Sequence, residues 1–235
     1  MKYPFLSVLA IAAITASASA ETAIKNISTG YDDANNVQFN AGVVDTDWAI
    51  VAGGTAGHVG DPLTAITNVP SPWLPDTDSS ASRWIAVNTG SGTWGIDIDP
   101  GTYFFQTTVL IDPTVDVSTV AFSTLRFSGD DKVLDIQING TSIYSPSCPC
   151  PDYAKWTTLD CVGHGLFTTG SNQITFIVNN GSSDPLNPMG LRVEGTVAAD
   201  ACPEGQPPVV PEPATAGLVG LSSLGLLIRF RRRTA

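Results

Sequence analysis

Two adjacent carboxyl side chains, Asp130 and Asp131, are the residues of this sequence best suited to hold a metal ion. Neighbouring carboxylates in a loop beside strand ends can supply several of the oxygen ligands that calcium requires. The same pair can also form an ordinary turn, in which the side-chain oxygens accept hydrogen bonds from backbone amides. The sequence therefore predicts a calcium site at Asp130 and Asp131, with a structural turn as the alternative.

Tryptophan rings can provide a platform on which sugar rings stack, because the apolar face of a sugar packs well on an indole. The five tryptophans of the chain are Trp48, Trp73, Trp84, Trp94 and Trp156. Trp48 and Trp84 lie inside strand-like segments, so we expect them to be buried. Trp73 lies in a proline-flanked loop and Trp94 in a glycine-flanked loop. These two are predicted to be exposed and are the candidates for a carbohydrate site.

Catalytic motifs find little support in the sequence. The two histidines, His58 and His164, are far apart in glycine-rich segments, and neither a Gly-x-Ser-x-Gly elbow nor a His-Glu-x-x-His helix occurs. A carboxylate pair for glycoside hydrolysis depends on a spatial separation that a sequence does not reveal. We therefore predict a protein that is not an enzyme, with a polysaccharide-degrading enzyme as the remaining alternative.

The N-terminus has the three parts of a secretory signal peptide. It begins with Met1-Lys2, continues through an apolar stretch from Phe5 to Ile14, and ends in small residues up to Ala20. Signal peptidase cleaves after such a small-residue sequence. Residues 1–20 are therefore predicted to be removed on export.

The C-terminus carries a second segment directed to the membrane. Residues 214–228 are uncharged, and the cluster Arg229, Arg231, Arg232 and Arg233 follows them. This apolar segment is shorter than the roughly 20 residues of a stable span, and the arginines place its end in the cytoplasm. Directly before it stands Pro211-Glu212-Pro213, whose prolines keep that site extended.

Together, the Pro-Glu-Pro tripeptide, the apolar helix and the terminal arginines resemble the PEP-CTERM sorting signal. The resemblance implies processing by an exosortase-type membrane protease in a Gram-negative bacterium, often one that makes exopolysaccharide or biofilm matrix. The inner membrane would then hold the chain only transiently, before it reaches the cell surface or the extracellular matrix. A simple tail anchor is the alternative.

The predicted organisation is a signal peptide (1–20), a β domain (21–204), a proline-rich linker (205–213) and a transmembrane sorting helix with its arginine end (214–235).

Four cysteines, Cys148, Cys150, Cys161 and Cys202, all lie in the part of the chain that would be exported. In an oxidising compartment two disulfides are the default. Cysteines separated by one residue seldom satisfy disulfide geometry with each other. We therefore expect one of Cys148 and Cys150 to pair with Cys161 and the other with Cys202. Zinc is the competing possibility, and the spacing fits it poorly.

Short segments rich in β-branched and aromatic residues recur between the two ends, separated by Gly, Asn, Asp and Pro, which is typical of an all-β domain. The predicted strands are 48–52, 83–87, 101–110, 117–128, 132–138, 165–167, 173–179 and 191–196. Eight or more strands favour a two-sheet sandwich. Within 132–138 the alternation places Leu134, Ile136 and Ile138 on the core face. Asn139-Gly140 then predicts a tight hairpin turn into residues 141–144.

Several of these segments resemble galactose-binding-like jelly rolls. The resemblance rests on Ser82-Arg83-Trp84-Ile85, Pro100-Gly101-Thr102-Tyr103-Phe104-Phe105, Phe127-Ser128-Gly129-Asp130-Asp131-Lys132, Gly170-Ser171-Asn172-Gln173-Ile174-Thr175-Phe176 and Asn187-Pro188-Met189-Gly190-Leu191-Arg192-Val193. It spans about Asp45 to Thr196 and implies a jelly-roll β-sandwich, whose relatives include carbohydrate-binding modules and attachment domains. Fold transfers across such a resemblance more safely than function does.

The charge of the exported segment limits its partners. Residues 21–210 contain 6 Lys and Arg against 21 Asp and Glu, a net charge of −15. Such an acidic surface makes nucleic acid an unsuitable partner and fits calcium or neutral glycans. We therefore predict an exported carbohydrate-binding module associated with exopolysaccharide or biofilm. The alternative is a structural surface protein that acts by self-association and has no small-molecule ligand.

Overall fold

A computed structural model describes residues 21–53, 58–66, 69–76, 82–87, 99–146, 153–181 and 187–202. The regular structure of these residues consists of thirteen β-strands and one short 3-10 helix. The predicted signal peptide, linker and sorting helix lie outside these residues, as do Trp94, Cys148 and Cys150. The strands are β1 Thr22–Asn26, β2 Tyr31–Asp32, β3 Val37–Gln38, β4 Trp48–Gly53, β5 Leu63–Ala65, β6 Ile85–Val87, β7 Gly101–Ile111, β8 Ala121–Asp130, β9 Lys132–Ile138, β10 Thr141–Tyr144, β11 Thr157–Val162, β12 Gly170–Asn180 and β13 Gly190–Ala199.

Two antiparallel sheets face each other across one core. The first sheet has the order β11-β8-β13-β6-β5, with β1 also paired to β13, and the second has the order β10-β9-β12-β7-β4. Strands β2 and β3 form a separate two-stranded ribbon. Phe127 of the first sheet meets Phe176 of the second edge to face, with ring centroids 5.8 Å apart. The all-β prediction is confirmed, with two sheets arranged as a sandwich.

Strand β9 has the predicted bounds, but its core face differs from the predicted one. Val133, Ile136 and Ile138 are fully buried, whereas Leu134 is only half-buried. The register of β9 against β12 shifts between Asp135 and Val133, which marks a β-bulge at Leu134. A bulge adds one residue to the strand and reverses the alternation beyond it. The prediction that Leu134 shares the core face was therefore wrong, and Val133 takes that place.

Two other predicted strands need correction. Residues 164–166 form a turn and Phe167 follows it outside any strand, since Gly163 and Gly165 have φ angles of 97° and 72°, which glycine adopts without strain. Val117–Thr119 forms the 3-10 helix, capped by the Asp116 side chain, and strand β8 begins only at Ala121. Phe167 is nevertheless buried in the core, although the backbone around it does not form the predicted strand.

The outer face of the first sheet is covered by a second, smaller apolar cluster. Leu191 and Val193 of β13 belong to the main core, so the intervening Arg192 points to the opposite face of the sheet. On that face the loop 69–76 packs over the sheet. The cluster consists of Ile66, Trp73, Trp84 and Ala86, with Val69, Leu74 and Tyr153 around them. This layer carries the candidate site.

The parts of the chain that the structure describes contain no helix of the length and apolarity that a membrane span needs.

Candidate functional site

A cleft of about 490 Å³ opens beside loop 69–76 on the outer side of the first sheet. It is lined by Val69, Pro70, Ser71, Trp73, Pro75, Asp76 and Arg83. We call it the Trp73 cleft. Its wall combines apolar rings with a hydroxyl, a carboxylate and a guanidinium. Pockets of this size with a few polar groups among apolar ones are typical of small-molecule sites.

Trp73 itself is far more buried than its loop position predicts, with 6% of its surface exposed. Its ring packs on Trp84 with centroids 4.3 Å apart. On another side the ring lies so close to Gly190 that a Cβ atom there would approach it to 2.8 Å. The prediction of an exposed Trp73 was therefore wrong, because its loop folds back onto β6 and β13. Only an edge of the ring contributes to the cleft, and Trp94 lies outside the described residues.

The structure brings together two residues that were predicted to serve separate sites. The side chain of Trp73 hydrogen-bonds to the carboxyl group of Asp130, where β8 ends. Asp131 links β8 to β9, and its carboxylate accepts a hydrogen bond of 2.6 Å from the amide of Gly181. The Asp131 amide in turn donates to the carbonyl oxygen of Asn179 at 2.9 Å. The acidic pair thus joins the two sheets directly behind the Trp73 cleft.

The electrostatic state of the acidic pair follows from its burial. Only 3% of Asp130 is exposed, and this burial raises the pKa of its carboxyl group to about 8. The negative charge of Asp131 and the hydrogen bond between the two carboxyl groups raise that pKa further, and the hydrogen bond with Trp73 opposes them. Burial therefore favours the protonated form of the Asp130 carboxyl group at neutral pH.

Calcium at Asp130 and Asp131 stays a prediction. Among the described residues no group of three or more His, Cys, Asp or Glu side chains is arranged to hold a metal ion. Further oxygen ligands would have to be amides or carbonyls. A carboxylate oxygen of Asp131 and the side-chain oxygen of Asn179 both face Gly181, at 3.1 and 3.2 Å from the position that a Cβ atom would take there.

A buried arginine that was not among the predicted site residues lies beneath loop 69–76 and holds it by hydrogen bonds. Arg192 is fully buried, and its Nε atom donates to the Ser82 hydroxyl at 2.9 Å. Its terminal nitrogens donate to the carbonyl oxygens of Pro75 and Ser82, both at 3.1 Å. A charge in the otherwise apolar sequence Met189-Gly190-Leu191-Arg192-Val193 was the signal that could have identified it. Arg192 thereby ties the cleft loop to β13.

Two arginines share the Asp76 carboxylate at the edge of the cleft. Arg83 and Arg192 each place a terminal nitrogen 3.6 Å from an oxygen of Asp76. The Nε atom of Arg83 is buried and has no hydrogen-bond acceptor within the described ranges. A buried N–H without an acceptor costs free energy that a ligand oxygen would recover. The Arg83 side chain, which lines the cleft, therefore carries one unsatisfied donor.

Trp156 packs against two arginines on the outer face of the first sheet. Its ring is half-buried between the guanidinium groups of Arg126 and Arg192, whose central carbons lie 4.7 and 5.0 Å from the ring centroid. Arg126 also pairs with Glu194, which accepts a hydrogen bond of 2.8 Å from Ser82. Cations stack favourably on indole faces. Trp156 thus has a structural role on the outer face of the first sheet.

A second, smaller cleft of about 290 Å³ lies at the edge of the other sheet, beside β4 and β7. Lys25, Asp47 and Gln106 are among its lining residues. Trp48 also contributes to its lining, but only 3% of its surface is exposed, as expected for a core residue. This cleft therefore presents polar groups without an aromatic platform.

Cys161 and Cys202 are free thiols that lie close enough for the Cys161 side chain to shift the pKa of Cys202. Burial, the neighbouring Cys161 thiol and the charge of Glu21 raise the pKa of Cys202 to about 12. The expected pairing assigned each of these two cysteines to a partner at position 148 or 150. The structure brings Cys161 and Cys202 close to each other, and the expected pairing stays a prediction because Cys148 and Cys150 lie outside the described residues.

Comparison with known proteins identifies one segment of the chain. The PEP-CTERM protein-sorting motif matches residues 209–233. This range contains Pro211-Glu212-Pro213, the apolar segment and the arginines that the sequence analysis singled out. No curated protein matches the chain. The motif indicates export, transient anchoring in a Gram-negative membrane and sorting by an exosortase, and thereby confirms the expectation drawn from the C-terminus.

Proposed function

We propose that the β-sandwich of this exosortase-sorted protein is a galactose-binding-like jelly roll that binds neutral polysaccharide in the Trp73 cleft, at the cell surface or in the extracellular matrix. The observation that carries the proposal is Arg83, whose side chain lines a cleft of about 490 Å³ and whose buried Nε atom lacks an acceptor among the described residues. A sugar hydroxyl offers an acceptor for such a donor, and Ser71 and Asp76 offer further polar contacts.

The composition of the cleft and of the surrounding surface supports a neutral ligand. Pro70, Pro75 and the edge of Trp73 form an apolar wall against which a sugar ring can pack. The net charge of −15 on residues 21–210 disfavours polyanionic polysaccharides. The pairing of both sheets in antiparallel order is compatible with a jelly roll. We propose that the protein binds polysaccharide without cleaving it.

Replacing Arg83 by Gln is expected to weaken polysaccharide binding at least tenfold, because it removes the unsatisfied N–H group and its charge from the cleft. Asp76 keeps Arg192 as an ion partner, so the variant should remain folded. The measurement is binding of the purified protein to a glycan array, followed by titration with the best ligand. Gln106→Ala, in the second cleft, is the matched control and should bind like the unmodified protein. Equal affinities in Arg83→Gln and the unmodified protein would remove the Trp73 cleft as the site.

A structural surface protein without a small-molecule ligand is the second candidate. The observation that favours it is the burial of Trp73, which leaves little of the ring for stacking. Such a protein would bind no glycan on the array and would self-associate in sedimentation experiments. Release of reducing sugar from matrix polysaccharide would instead favour the enzyme alternative.

Replacing Pro211, Glu212 and Pro213 by alanines is expected to abolish processing by the exosortase, because the motif precedes the membrane segment that the protease handles. In a host with a functional exosortase, the unmodified protein should lose its C-terminal arginines and leave the membrane fraction. The variant should keep the Thr234-Ala235 end and stay in that fraction. Intact mass and cell fractionation read both outcomes, with Glu204→Ala, outside the motif, as the control. An intact C-terminus in the released unmodified protein contradicts this prediction.

A further inference from the structure

The end of β13 brings two cysteines together that lie far apart in the sequence. Cys161 is buried near the end of β11, and Cys202 follows β13 by three residues. Strand β8 pairs with both β11 and β13, so it lies between these two strands. Cys202 reaches the backbone of β8, where its sulfur lies 3.9 Å from the Phe122 carbonyl oxygen. Phe122 also pairs with Val162, the neighbour of Cys161.

Small residues make this approach possible. Ala121 and Ala198 are paired across β8 and β13, and both are fully buried in a cluster with Ala201, against which Cys202 packs. Phe122 and Val197, their neighbours, belong to the main core, so the alanines point to the outer face of the first sheet. A larger side chain at either alanine would fill the space above β8 through which Cys202 approaches Cys161. Both cysteines therefore lie beside Phe122 on the outer face of the first sheet, one reached from β11 and the other from the end of β13.

We propose that Cys161 and Cys202 form a disulfide in the exported protein. Their two thiols lose two protons and two electrons, and one S–S bond forms. The electrons pass to an oxidised dithiol protein of the exported compartment, whose own disulfide is reduced to two thiols by thiol–disulfide exchange. The bond joins the C-terminal end of β13 to the edge strand β11. It therefore fixes the point at which the sorting tail leaves the domain.

Digestion with trypsin distinguishes the possible disulfide pairings of the four cysteines. Cleavage after Lys132, Lys155 and Arg192 places Cys148 and Cys150 in the peptide 133–155, Cys161 in 156–192 and Cys202 in the peptide that begins at Val193. The full chain should be exported, alkylated without reduction and digested. We expect a linked pair of the second and third peptides that separates on reduction. A link from either peptide to 133–155, or alkylated Cys161 and Cys202, would overturn the proposal.

Thermal unfolding provides a second test of the disulfide that does not depend on peptide mapping. Cys161→Ser and Cys202→Ser should each lower Tm by roughly 5 to 10 °C, and the double variant should fall no further, because each single change removes the same bond. A reductant should lower the Tm of the unmodified protein and leave these variants unchanged. Cys148→Ser combined with Cys150→Ser is the matched control and should keep the link between the second and third peptides. Additive losses in the two single variants would argue against the bond.

Discussion

Replacing Arg192 by Met is expected to lower the free energy of unfolding by roughly 3 to 5 kcal/mol, because the change leaves buried acceptors without their donor. Methionine keeps much of the apolar volume, but it cannot donate to the carbonyl oxygen of Pro75 or to the Ser82 hydroxyl. Asp76 would also lose one of its two cationic partners. The measurement is urea unfolding followed by tryptophan fluorescence.

Arg126 is a matched control for this prediction. It stacks on the same tryptophan, Trp156, and pairs with Glu194, yet 38% of its side chain is exposed. Ion pairs of more exposed groups contribute less, so Arg126→Met should cost less than Arg192→Met does. Equal losses for the two arginine variants would show that burial of Arg192 has no special energetic role.

Stability is expected to decrease as the pH rises from about 4 to 8, the reverse of common acid denaturation. The pKa of Asp130 is raised from 3.8 to about 8 and that of Asp45 to about 6, in both cases mainly by burial. In this window the folded chain binds more protons than the unfolded chain does, so raising the pH favours unfolding. Each group changes the stability by at most about 1.4 kcal/mol per pH unit. Urea unfolding in chelator at a series of pH values measures the trend.

Two variants separate the contributions to this trend. Asp130→Asn removes the titrating group, so the decline between pH 6 and 8 should disappear while the decline due to Asp45 remains. Asp131→Asn removes the charge that raises the pKa of Asp130 and should move the decline to lower pH. Stability that stays level or rises from pH 5 to 8 in the unmodified protein would contradict the prediction.

The same titration tests calcium. A calcium ion bound by Asp130 and Asp131 needs both carboxylates ionised, so added calcium should raise the unfolding midpoint at pH 8 and reduce the pH trend. Asp131→Asn should lose that increase. An unchanged midpoint with and without calcium would leave the structural turn as the role of the acidic pair.

Local patterns predicted eight of the thirteen strands of the described residues, missed β1, β2, β3, β5 and β11, and assigned the face of β9 in part wrongly. Strand β9 has the predicted bounds because alternating residues and flanking turn residues encode it directly. Its core face was misassigned because the bulge at Leu134 depends on pairing with β12, which lies far along the chain. A β-bulge is set by the partner strand as much as by the bulged residues, so alternation alone does not reveal it.

The candidate site was predictable only in fragments. Trp73 and Asp130 were each singled out, but their contact joins positions far apart in the sequence, and the burial of Trp73 depends on Trp84 and Gly190. The role of Arg192 depends on carbonyl groups of a loop that precedes it by more than one hundred residues. Such contacts are created by the topology of the two sheets, which local residue patterns do not specify.

The pairing of the first strand with the last determines how the domain is presented to its surroundings. Thr22 lies opposite Ala199, so the segment after the predicted signal peptide and the segment before the sorting tail leave from one corner of the sandwich. Trp73 contacts Gly190, at the other end of the same ten-residue strand, roughly 30 Å away. The point at which both terminal segments join the domain and the Trp73 cleft therefore lie at opposite ends of β13.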